Sequence, residues 1–479
     1  MDIIIRDKHM NEVDIKTALN QMLTDHKNEF SKAPFPSYQQ RIGHLHALKA
    51  LMLENQDELI SAMSDDFGNR SADDSKLGDI LTTVSGINYC IKQLKKWMKP
   101  EKRHVGLLFQ PASARVEYQP LGIVGIMVPW NYPIFLALGP LTTALAAGNR
   151  AMIKMSEFTP KTSALIAQLI PQYLNNRVSI IEGDASVAAI FSGLAFDHLF
   201  FTGSTNVGKM VMKAAAENLV PVTLELGGKS PAIIDDNISL HTAVERLIMG
   251  KTLNSGQTCV APDYILCPKG KADKLSDIME TTFKTMFPTI KDNADYTSVV
   301  NDHQHARLLG LIDDARSKGA TIKSLSSDTR CEKSRQLPLT LLLNVNDDMT
   351  VMQQEIFGPL LPIVEYQSIE EAITYVNERE RPLALYICSF DTQFQNKLLK
   401  ETHSGGVCIN DAAMHVGVED LPFGGVGSSG MGNYHGIEGF KTFSHAKAIF
   451  SRGRMSMAKQ LFPPYGTFMH KLIYKFFIR

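Results

Sequence analysis

From about residue 120 onward, short apolar runs alternate with segments whose apolar residues recur every three or four positions. The run GIVGIMV at 122–128, for example, is followed by the helix-like stretch FLALGPLTTALAAG. Such runs are typical of strands buried on both faces, and strands that alternate with helices form parallel sheets covered on both sides. The alternation therefore predicts an α/β protein.

The same pattern extends over two regions of the chain. In the first region, strands are predicted at 151–154 and 198–203 and in the segments TLELGG and PAIIDD. The second region runs from near 240 to about 415, and its predicted strands are 263–268, 360–366, 383–390 and 405–410. Thr159 is predicted as a helix N-cap, with Pro160 at the first helical position. Ahead of both regions, the apolar spacing in 38–67 predicts a helix.

Length and charge limit the class of protein. At about 150 residues per domain, a chain of 479 residues suggests roughly three domains or two large ones. The 49 basic and 50 acidic side chains nearly balance, which argues against a nucleic-acid partner held by a basic surface. No apolar stretch reaches the about 18 residues of a membrane-spanning helix, and the N-terminal apolar run is too short for a signal peptide.

Six cysteines lie at positions 90, 259, 267, 331, 388 and 408. None belongs to a CxxC pair and their spacing matches no zinc site, so we expect no bound metal. Six cysteines are also too few for a disulfide framework in a chain of 479 residues. We therefore expect reduced thiols and a cytoplasmic location.

Two glycine motifs resemble phosphate-binding sequences. Gly425 to Gly430 fits GxGxxG, but its flanks indicate neither the strand before it nor the helix after it that a dinucleotide fingerprint requires. We interpret it as part of a glycine-rich loop at 411–436. Gly203 to Lys209 fits GxxxxGK, yet Met210 stands where a P-loop needs Ser or Thr. Its strand–loop–helix context favours a phosphate site of another kind, with a plain β–α turn as the alternative.

Three other side chains are candidates for chemistry. Cys259 ends the polar turn NSGQTC, whose backbone amides could stabilise an anion, although a lone cysteine is often only a small buried residue. Asn131 lies between two prolines in PWNYP, where a stiff turn could present its amide to an oxyanion. Glu225 lies in LELGG, where apolar surroundings would raise its pKa and suit a base. A turn-forming asparagine and a salt-bridged glutamate are the alternatives.

The motifs PWNYP, FTGSTNVGK, LELGGKSP, NSGQTC and QEIFGP occur in this order. Together they resemble the NAD(P)-dependent aldehyde dehydrogenase superfamily, over about residues 100 to 450. The segment 422–436, PFGGVGSSGMGNYHG, is similar to the class-3 branch and to the bacterial coniferyl aldehyde dehydrogenases. The resemblance implies two Rossmann-like parallel-sheet domains and a small β-hairpin used for oligomerisation.

The resemblance also implies a division of the chain. Residues 1–226 would form a cofactor-binding domain, within which 102–120 contributes to an oligomerisation arm. Residues 227–420 would form the catalytic domain with the nucleophilic cysteine, and 421–479 would hold the glycine-rich loop, an oligomerisation strand and the tail. The aromatic, basic tail is expected to pack on the core; lining the aldehyde entrance, covering a partner subunit or touching a membrane surface are the alternatives. A homodimer is expected from the class-3 resemblance.

In activity, the resemblance implies oxidation of an apolar or aromatic aldehyde to the carboxylic acid with NAD(P)+. Cys259 would add to the aldehyde, and Asn131 and the Cys259 amide would hold the resulting oxyanion. Loss of hydride would leave a thioester, which water would hydrolyse. Glu225 is the first choice for the base that activates this water, and Glu355 is the alternative. His435 is interpreted as a surface or packed residue.

The residues implied to bind the cofactor are Lys154, Glu157, Gly203, Ser204, Gly208, Glu355 and Phe357. Met155 stands where the family's KPSE motif has proline, which leaves the geometry around it open. Glu157 would repel a 2′-phosphate, so NAD is expected, with NADP as the alternative because Lys154 could offset that repulsion.

Three other functions stay open. A CoA-acylating dehydrogenase would need no base for water, so Glu225 argues against it. A non-catalytic protein on the same fold would not require Cys259, Glu225 and Asn131 together. A thiol hydrolase would need a histidine to activate Cys259, and no segment of the sequence marks one.

Overall fold

Two largely parallel sheets and one small antiparallel sheet form the framework of the molecule. The structure is a computed structural model that describes residues 11–326, 334–455 and 458–478. In this part of the chain the α-helices are α1 (Glu12–Lys32), α2 (Tyr38–Glu54), α3 (Gln56–Phe67), α4 (Ala72–Ser75), α5 (Thr82–Trp97), α6 (Phe135–Ala147), α7 (Pro160–Leu174), α8 (Ala185–Ser192), α9 (Thr205–Ala216), α10 (Leu240–Thr252), α11 (Ala272–Met286), α12 (Asp302–Ser317), α13 (Thr350–Gln353), α14 (Ile369–Asn377), α15 (Thr392–Glu401), α16 (Gly436–Thr442) and α17 (Phe468–Phe477). The strands are β1 (Glu101–Arg103), β2 (Ala112–Pro120), β3 (Ile123–Met127), β4 (Arg150–Lys154), β5 (Val178–Ile181), β6 (His198–Gly203), β7 (Val222–Leu226), β8 (Pro231–Ile234), β9 (Tyr264–Pro268), β10 (Thr321–Ser324), β11 (Thr340–Leu343), β12 (Leu360–Tyr366), β13 (Ala384–Cys388), β14 (Gly406–Ile409), β15 (Gly430–Met431) and β16 (Ser444–Arg452).

The first parallel sheet has six strands in the order β15-β7-β6-β3-β4-β5. Five of them run parallel, and β15 pairs antiparallel with β7 at the edge. Strands β3 and β4 are buried at every residue, as expected for strands covered on both faces. In open parallel sheets, ligands bind beyond the carboxyl ends of the strands, which here carry Gly203 on β6 and Glu225 on β7.

The second parallel sheet has seven strands in the order β10-β11-β12-β9-β8-β13-β14. All neighbours run parallel except β10, which pairs antiparallel with β11. After β8 the chain passes through α10 into the loop of Cys259 and returns to the sheet as β9. This connection brings the cysteine loop toward the first sheet.

The third sheet is antiparallel and has the strand order β1-β2-β16. Strands β2 and β16 pair along their whole length, from Ala112 opposite Arg452 to Pro120 opposite Ser444. The small hairpin expected from the resemblance is therefore β1 and β2, and a third strand from near the other end of the chain completes it.

The predicted α/β class is confirmed, and each strand predicted by sequence lies within a residue or two of an observed one. The single helix predicted at 38–67 is wrong, because α2 ends at Glu54 and α3 begins at Gln56. Asn55 lies between them, and its side-chain amide donates to the Leu51 carbonyl at 2.9 Å. Thr159 does precede α7, with Pro160 first in the helix, but among the described residues its hydroxyl has no hydrogen-bond partner and caps nothing. The division into domains at 226 and 420 remains a prediction.

The described residues show free cysteines, no cluster of metal ligands and no membrane-spanning helix. Among these, five cysteines are free thiols, and Cys331 lies outside the described part. In the same part of the chain, His, Cys, Asp and Glu side chains form no group of three that could hold a metal. None of the described helices combines the length and apolar character needed to cross a bilayer.

Candidate active site

The loop that carries Cys259 has an unusual backbone. After α10, Asn254, Ser255 and Gly256 have φ values of 50°, 54° and 69°, in the left-handed region. Side chains with a Cβ disfavour this region, so the surrounding structure must hold Asn254 and Ser255 there. At Gly256 a side chain is excluded by space as well, because a Cβ would lie 2.6 Å from the carbonyl oxygen of Gly358.

The polar side chains that precede Cys259 hold this loop in place. The Asn254 amide donates to the carbonyl of Asn131 at 3.0 Å, and the Ser255 hydroxyl donates to the carbonyl of Thr297 at 2.6 Å. The Gln257 amide donates to the Asn254 carbonyl at 3.0 Å. These side chains are buried, so they fix the position of the cysteine and do not themselves face a substrate.

Asn131 is held by a buried ion pair. The Arg70 guanidinium donates to the Asn131 carbonyl at 2.7 Å and lies 2.7 Å from the Asp79 carboxylate, with both charged side chains fully buried. The other Asp79 oxygen accepts from the backbone N–H of Ile134 at 3.1 Å. One N–H of the Asn131 amide donates to the Gln257 carbonyl at 3.1 Å. A side-chain amide has two N–H groups, so the second is available for an oxyanion.

Glu225 lies at the end of β7 and is 3% exposed. Neither of its carboxylate oxygens has a hydrogen-bond partner among the described residues. Burial raises the pKa of its carboxyl well above the usual range, because the charged form loses its hydration. The apolar environment predicted for this carboxyl is therefore confirmed, whereas its role as a base is untested.

The GxGxxG segment supports the strand of Glu225. Gly430, in β15, pairs opposite Glu225, and the Ser429 carbonyl accepts from the Leu226 N–H at 3.0 Å. Gly430 has φ 142°, and a Cβ there would lie 2.1 Å from the carbonyl oxygen of Leu224. The glycine permits this close approach of two backbones, and the segment forms the sheet edge beside the carboxylate.

Glu355 and Phe357 approach the same place from the loop before β12. The Glu355 carboxylate packs against the backbone of Gly227, where a Cβ would lie 2.0 Å from its Oε2. Burial and the carboxylate of Asp263 raise the pKa of Glu355 to about 8. The Phe357 ring lies edge-on to the Trp130 ring, with centroids 5.3 Å apart. Glu355 is therefore not a free surface carboxylate.

One cavity of about 210 Å³ brings most of the predicted residues together. Those that line it are Asn131, Gly203, Ser204, Glu225, Cys259, Glu355 and Phe357. Lys154, Glu157 and Gly208 do not line it. The buried Lys154 ammonium donates to the Met155 carbonyl at 2.7 Å, and a Cβ on Gly208 would lie 2.6 Å from the Leu226 side chain.

The environment of Cys259 opposes ionisation in this structure. Burial raises the pKa of its thiol to about 12, with further contributions from the carboxylates of Glu355 and Glu225. The thiolate is the nucleophilic form, so the thiol must lose its proton during the reaction rather than before it. The backbone N–H groups of Cys259 and Val260 act in the opposite direction and lower this pKa, but the effect of burial is larger.

Sequence reasoning missed several residues of the site. Trp130, Thr202, Gln304 and Arg307 also line the cavity. Trp130 and Thr202 belong to motifs that the sequence offered, PWNYP and FTGSTNVGK, and could have been found there. Gln304 and Arg307 lie on the amphipathic surface of α12, and no motif marks them.

A profile of the aldehyde dehydrogenase family matches residues 2–449. The chain is 54% identical over 447 residues to a probable coniferyl aldehyde dehydrogenase of Pseudomonas aeruginosa, with 93% of each chain covered. It is 38% identical over 442 residues to the dimeric, NADP-preferring aldehyde dehydrogenase of Rattus norvegicus, with 91% of this chain and 96% of that one covered. It also superposes on the substrate-bound state of Staphylococcus aureus AldH with a TM-score of 0.91 and 38% identity, covering 96% and 99% of the two chains.

The chain therefore belongs to the aldehyde dehydrogenase family. As a member of it, the protein is an NAD(P)-dependent enzyme that oxidises aldehydes to carboxylic acids.

Proposed function

We propose that this enzyme oxidises coniferyl-type aromatic aldehydes to their acids, with Cys259 as nucleophile, Asn131 as oxyanion donor and Glu225 as base. The observation that carries the roles is that all three residues line one cavity. The aromatic aldehyde is supported by the relative of Pseudomonas aeruginosa, a probable coniferyl aldehyde dehydrogenase at 54% identity.

The residues around the cavity fit a dinucleotide cofactor. The turn from β6 into the twelve-residue helix α9 lines the cavity through Gly203 and Ser204, and helix N-termini attract phosphate. The buried hydroxyl of Thr202 lines the cavity too, and it has no hydrogen-bond partner among the described residues. Gly203, Ser204, Glu355 and Phe357 would hold the cofactor near the cysteine, and the Lys154–Glu157 turn would bind its adenosine end.

When bound, NAD+ supplies the acceptor for the hydride that the substrate carbon loses. As the Cys259 sulfur adds to the aldehyde carbon, the thiol gives its proton to water, and the C=O π electrons move onto the carbonyl oxygen. The Asn131 amide and the Cys259 backbone N–H donate hydrogen bonds to that oxyanion. After hydride loss, the substrate is a thioester on Cys259. Glu225 takes a proton from water as the water oxygen attacks the thioester carbon. The C–S bond then breaks, the sulfur regains a proton from Glu225, and the acid is released.

Glu225 suits this last step because no side chain or backbone group in the described part of the chain hydrogen-bonds to it. A carboxylate that accepts no hydrogen bond from the protein can orient toward a water molecule, and its raised pKa makes it a stronger base once ionised. Glu355 is also partly buried with a raised pKa, but the nearby Lys229 and Arg307 act in the opposite direction and favour its charged form. These environments support Glu225 as the base and Glu355 as a cofactor contact.

For the cofactor, we infer a preference for NAD+. Glu157 is exposed and carries a negative charge where a 2′-phosphate would lie. The Lys154 ammonium is buried and donates to the Met155 carbonyl, so it is less able to offset that charge. We expect Glu157→Gln to raise kcat/KM with NADP+ relative to NAD+.

For assembly, we infer a homodimer formed through β16. This strand pairs with β2 on one side and lies at the edge of the three-stranded sheet on the other. An unpaired edge strand offers N–H and C=O groups to a second strand, which a second copy of the chain can supply. Light scattering of the purified protein measures the assembly directly.

The experiment that tests the proposed function is an NADH-release screen over aromatic, medium-chain and semialdehyde substrates, run with NAD+ and NADP+ in parallel. Coniferyl-type aldehydes should give the highest kcat/KM. Higher kcat/KM for medium-chain aldehydes or semialdehydes would contradict the substrate class. The same reactions with and without CoA separate acid release from CoA acylation.

A further inference from the structure

The ion pair between Lys229 and Asp263 lies where three segments of the site meet. Lys229 follows β7, four residues after Glu225, and Asp263 precedes β9, four residues after Cys259. The two side chains are 11% and 5% exposed. The Asp263 N–H also donates to the Ser230 carbonyl at 2.8 Å, so the chain after β7 and the chain after the nucleophile are joined here. Neither member of the pair takes part in the reaction steps described above.

The Lys229 ammonium holds the third segment, the loop that carries Glu355. Besides the Asp263 carboxylate, it donates to the Val351 carbonyl at 2.8 Å and to the Gln354 carbonyl at 3.0 Å. An ammonium group has three N–H donors, and these three acceptors use all of them. Lys229 therefore has no donor left for a ligand, and its bonds fix the chain just ahead of Glu355.

Asp263 holds the same loop on the other side of Glu355. One of its carboxylate oxygens accepts from Lys229, and the other accepts from the Ile356 backbone N–H at 2.9 Å. Both neighbours of Glu355 in the chain are thus bonded to one ion pair, Gln354 through its carbonyl and Ile356 through its N–H. The pair therefore fixes the backbone from which the Glu355 side chain projects.

The Glu355 carboxylate depends on this backbone for its position. It packs on the chain after β7, where a Cβ on Gly227 would lie 2.0 Å from its Oε2. It lines the catalytic cavity and also an adjoining cavity of about 460 Å³, which Lys229 lines as well. A side chain that stands between two open spaces is held less by packing than by the backbone that carries it.

The effect of the pair on a ligand can only be indirect. Among the described residues that line the catalytic cavity, neither Lys229 nor Asp263 is present. Arg307 differs in this respect. It holds the same loop, because its guanidinium donates to the Ile356 carbonyl at 2.7 Å, but it also lines the catalytic cavity and can meet a ligand directly. The ion pair therefore offers a cleaner test of how the loop is held.

We propose that the Lys229–Asp263 pair is a positioning element that holds the Glu355 carboxylate where it contacts the cofactor. The inference rests on the proposed role of Glu355 as a cofactor contact and adds two residues that act through it. A contact that is fixed before binding loses less freedom on binding and so contributes more affinity. Loss of the pair weakens cofactor binding and leaves the thiol chemistry of Cys259 in place.

The first test measures the dissociation constant for NADH, by the fluorescence of the bound cofactor, in Lys229→Met. Methionine keeps an unbranched side chain but has no donor. We expect this constant and KM for NAD+ to rise at least about tenfold, because three hydrogen bonds from a charged group are lost. Ester hydrolysis without cofactor and KM for the aldehyde should change by less than about twofold, since neither depends on cofactor binding.

Asp263→Asn separates positioning from simple charge and is the second variant if Lys229→Met does not fold. The Asp263 carboxylate raises the pKa of Glu355 and the Lys229 ammonium lowers it, so an electrostatic role predicts opposite changes in NADH affinity for the two variants. Asparagine has one acceptor oxygen in place of two and can hold only one of the two partners. A positioning role therefore predicts that both variants weaken NADH binding.

Glu355→Gln provides the reference. Alone it should weaken NADH binding, and in its background Lys229→Met should add less than about twofold, because residues that act through one another are not additive. Arg379→Met is the matched control. Arg379 lines the same adjoining cavity, but its hydrogen bonds go to Asp347 and to the Tyr375 carbonyl, so NADH affinity should stay unchanged.

Three results would overturn the positioning role and leave Glu355 as a cofactor contact. These are unchanged NADH affinity in Lys229→Met or Asp263→Asn, opposite changes in the two variants, and a full further loss from Lys229→Met in the Glu355→Gln background. If Glu355→Gln itself binds NADH as tightly as the unmodified enzyme, the proposed role of Glu355 fails, and the role of the pair fails with it.

Discussion

The loop that carries Cys259 and the strand end that carries Glu225 face the same cavity. The polar side chains of the two regions differ in whether they are hydrogen-bonded to the protein. In the loop, Asn254, Ser255 and Gln257 each donate a hydrogen bond to a backbone carbonyl. At the strand end, both oxygens of Glu225 lack a partner among the described residues. The nucleophile is thus fixed by its neighbours, whereas the carboxylate is left free to meet a water molecule.

The difference follows from what each group must do. A nucleophile reacts faster when its approach to the carbonyl carbon is fixed in advance. A base for water must accept a proton and pass it on, and hydrogen bonds from the protein would stabilise its charged form and weaken it as a base. The variants below test whether this contrast between a fixed thiol and an unpartnered carboxylate holds.

The largest effect is expected at the nucleophile. Cys259→Ala removes the atom that bonds to the substrate, so aldehyde oxidation and ester hydrolysis should both fall by at least about 10,000-fold. NADH formation and release of nitrophenol from a nitrophenyl ester measure the two activities. Retained affinity for NAD+, measured by calorimetry, is the control for folding. NADH production near the unmodified rate would refute the assignment of the nucleophile.

A smaller and more selective loss is expected at the base. Glu225→Gln keeps the shape of the side chain but cannot accept a proton, so acid release should slow by about 100-fold or more while the first burst of NADH remains. Rapid-mixing kinetics separate the burst from the steady state. If Glu355→Gln blocks acid release and Glu225→Gln does not, then Glu355 is the base.

Asn131→Ala tests the proposed oxyanion donor, which is hydrogen-bonded to the loop of Cys259. Loss of one preorganised donor should slow the hydride step by about 100- to 1,000-fold. In contrast to Glu225→Gln, this variant should reduce the burst itself. A full burst with a slow steady state would contradict the role assigned to its amide.

The mildest perturbation is a change of pH. Burial and the Glu355 and Glu225 carboxylates raise the pKa of Cys259 to about 12. In the enzyme without cofactor, alkylation by iodoacetamide should therefore rise about tenfold per pH unit between pH 7 and 9, because only the thiolate reacts. Glu355→Gln removes one of the two carboxylates and should increase alkylation most toward pH 9, where Glu355, with a pKa of about 8, is ionised. A rate that begins to level off between pH 8 and 9 would show an ordinary thiol, whose pKa is about 8.5.

Sequence reasoning predicted the sheets well because buried parallel strands are continuous apolar runs, as in β3, β9 and β13. It failed at Asn55, because the apolar spacing continues across the break between α2 and α3. The break is visible only in the structure, where the Asn55 backbone has φ −117° and ψ 17° and its side-chain amide bonds to the turn before it.

For the site, motifs identified the residues that react but not those that hold them. Arg70 and Asp79 fix the Asn131 turn as a fully buried ion pair, yet they lie more than 50 residues before it and belong to no motif. The sequence favours a loop at Gly425–Gly430, whereas the structure places Gly430 in a strand beside Glu225 through a pairing across some 200 residues. Contacts of this kind arise from the three-dimensional fold, which local patterns do not encode.

The three left-handed residues before Cys259 limit how this enzyme can be re-engineered. Random mutagenesis at 254–256 would mostly yield inactive clones, because few side chains tolerate both the backbone angles and the packing against Gly358. A library aimed at new aldehyde preferences should therefore leave the nucleophile's turn untouched.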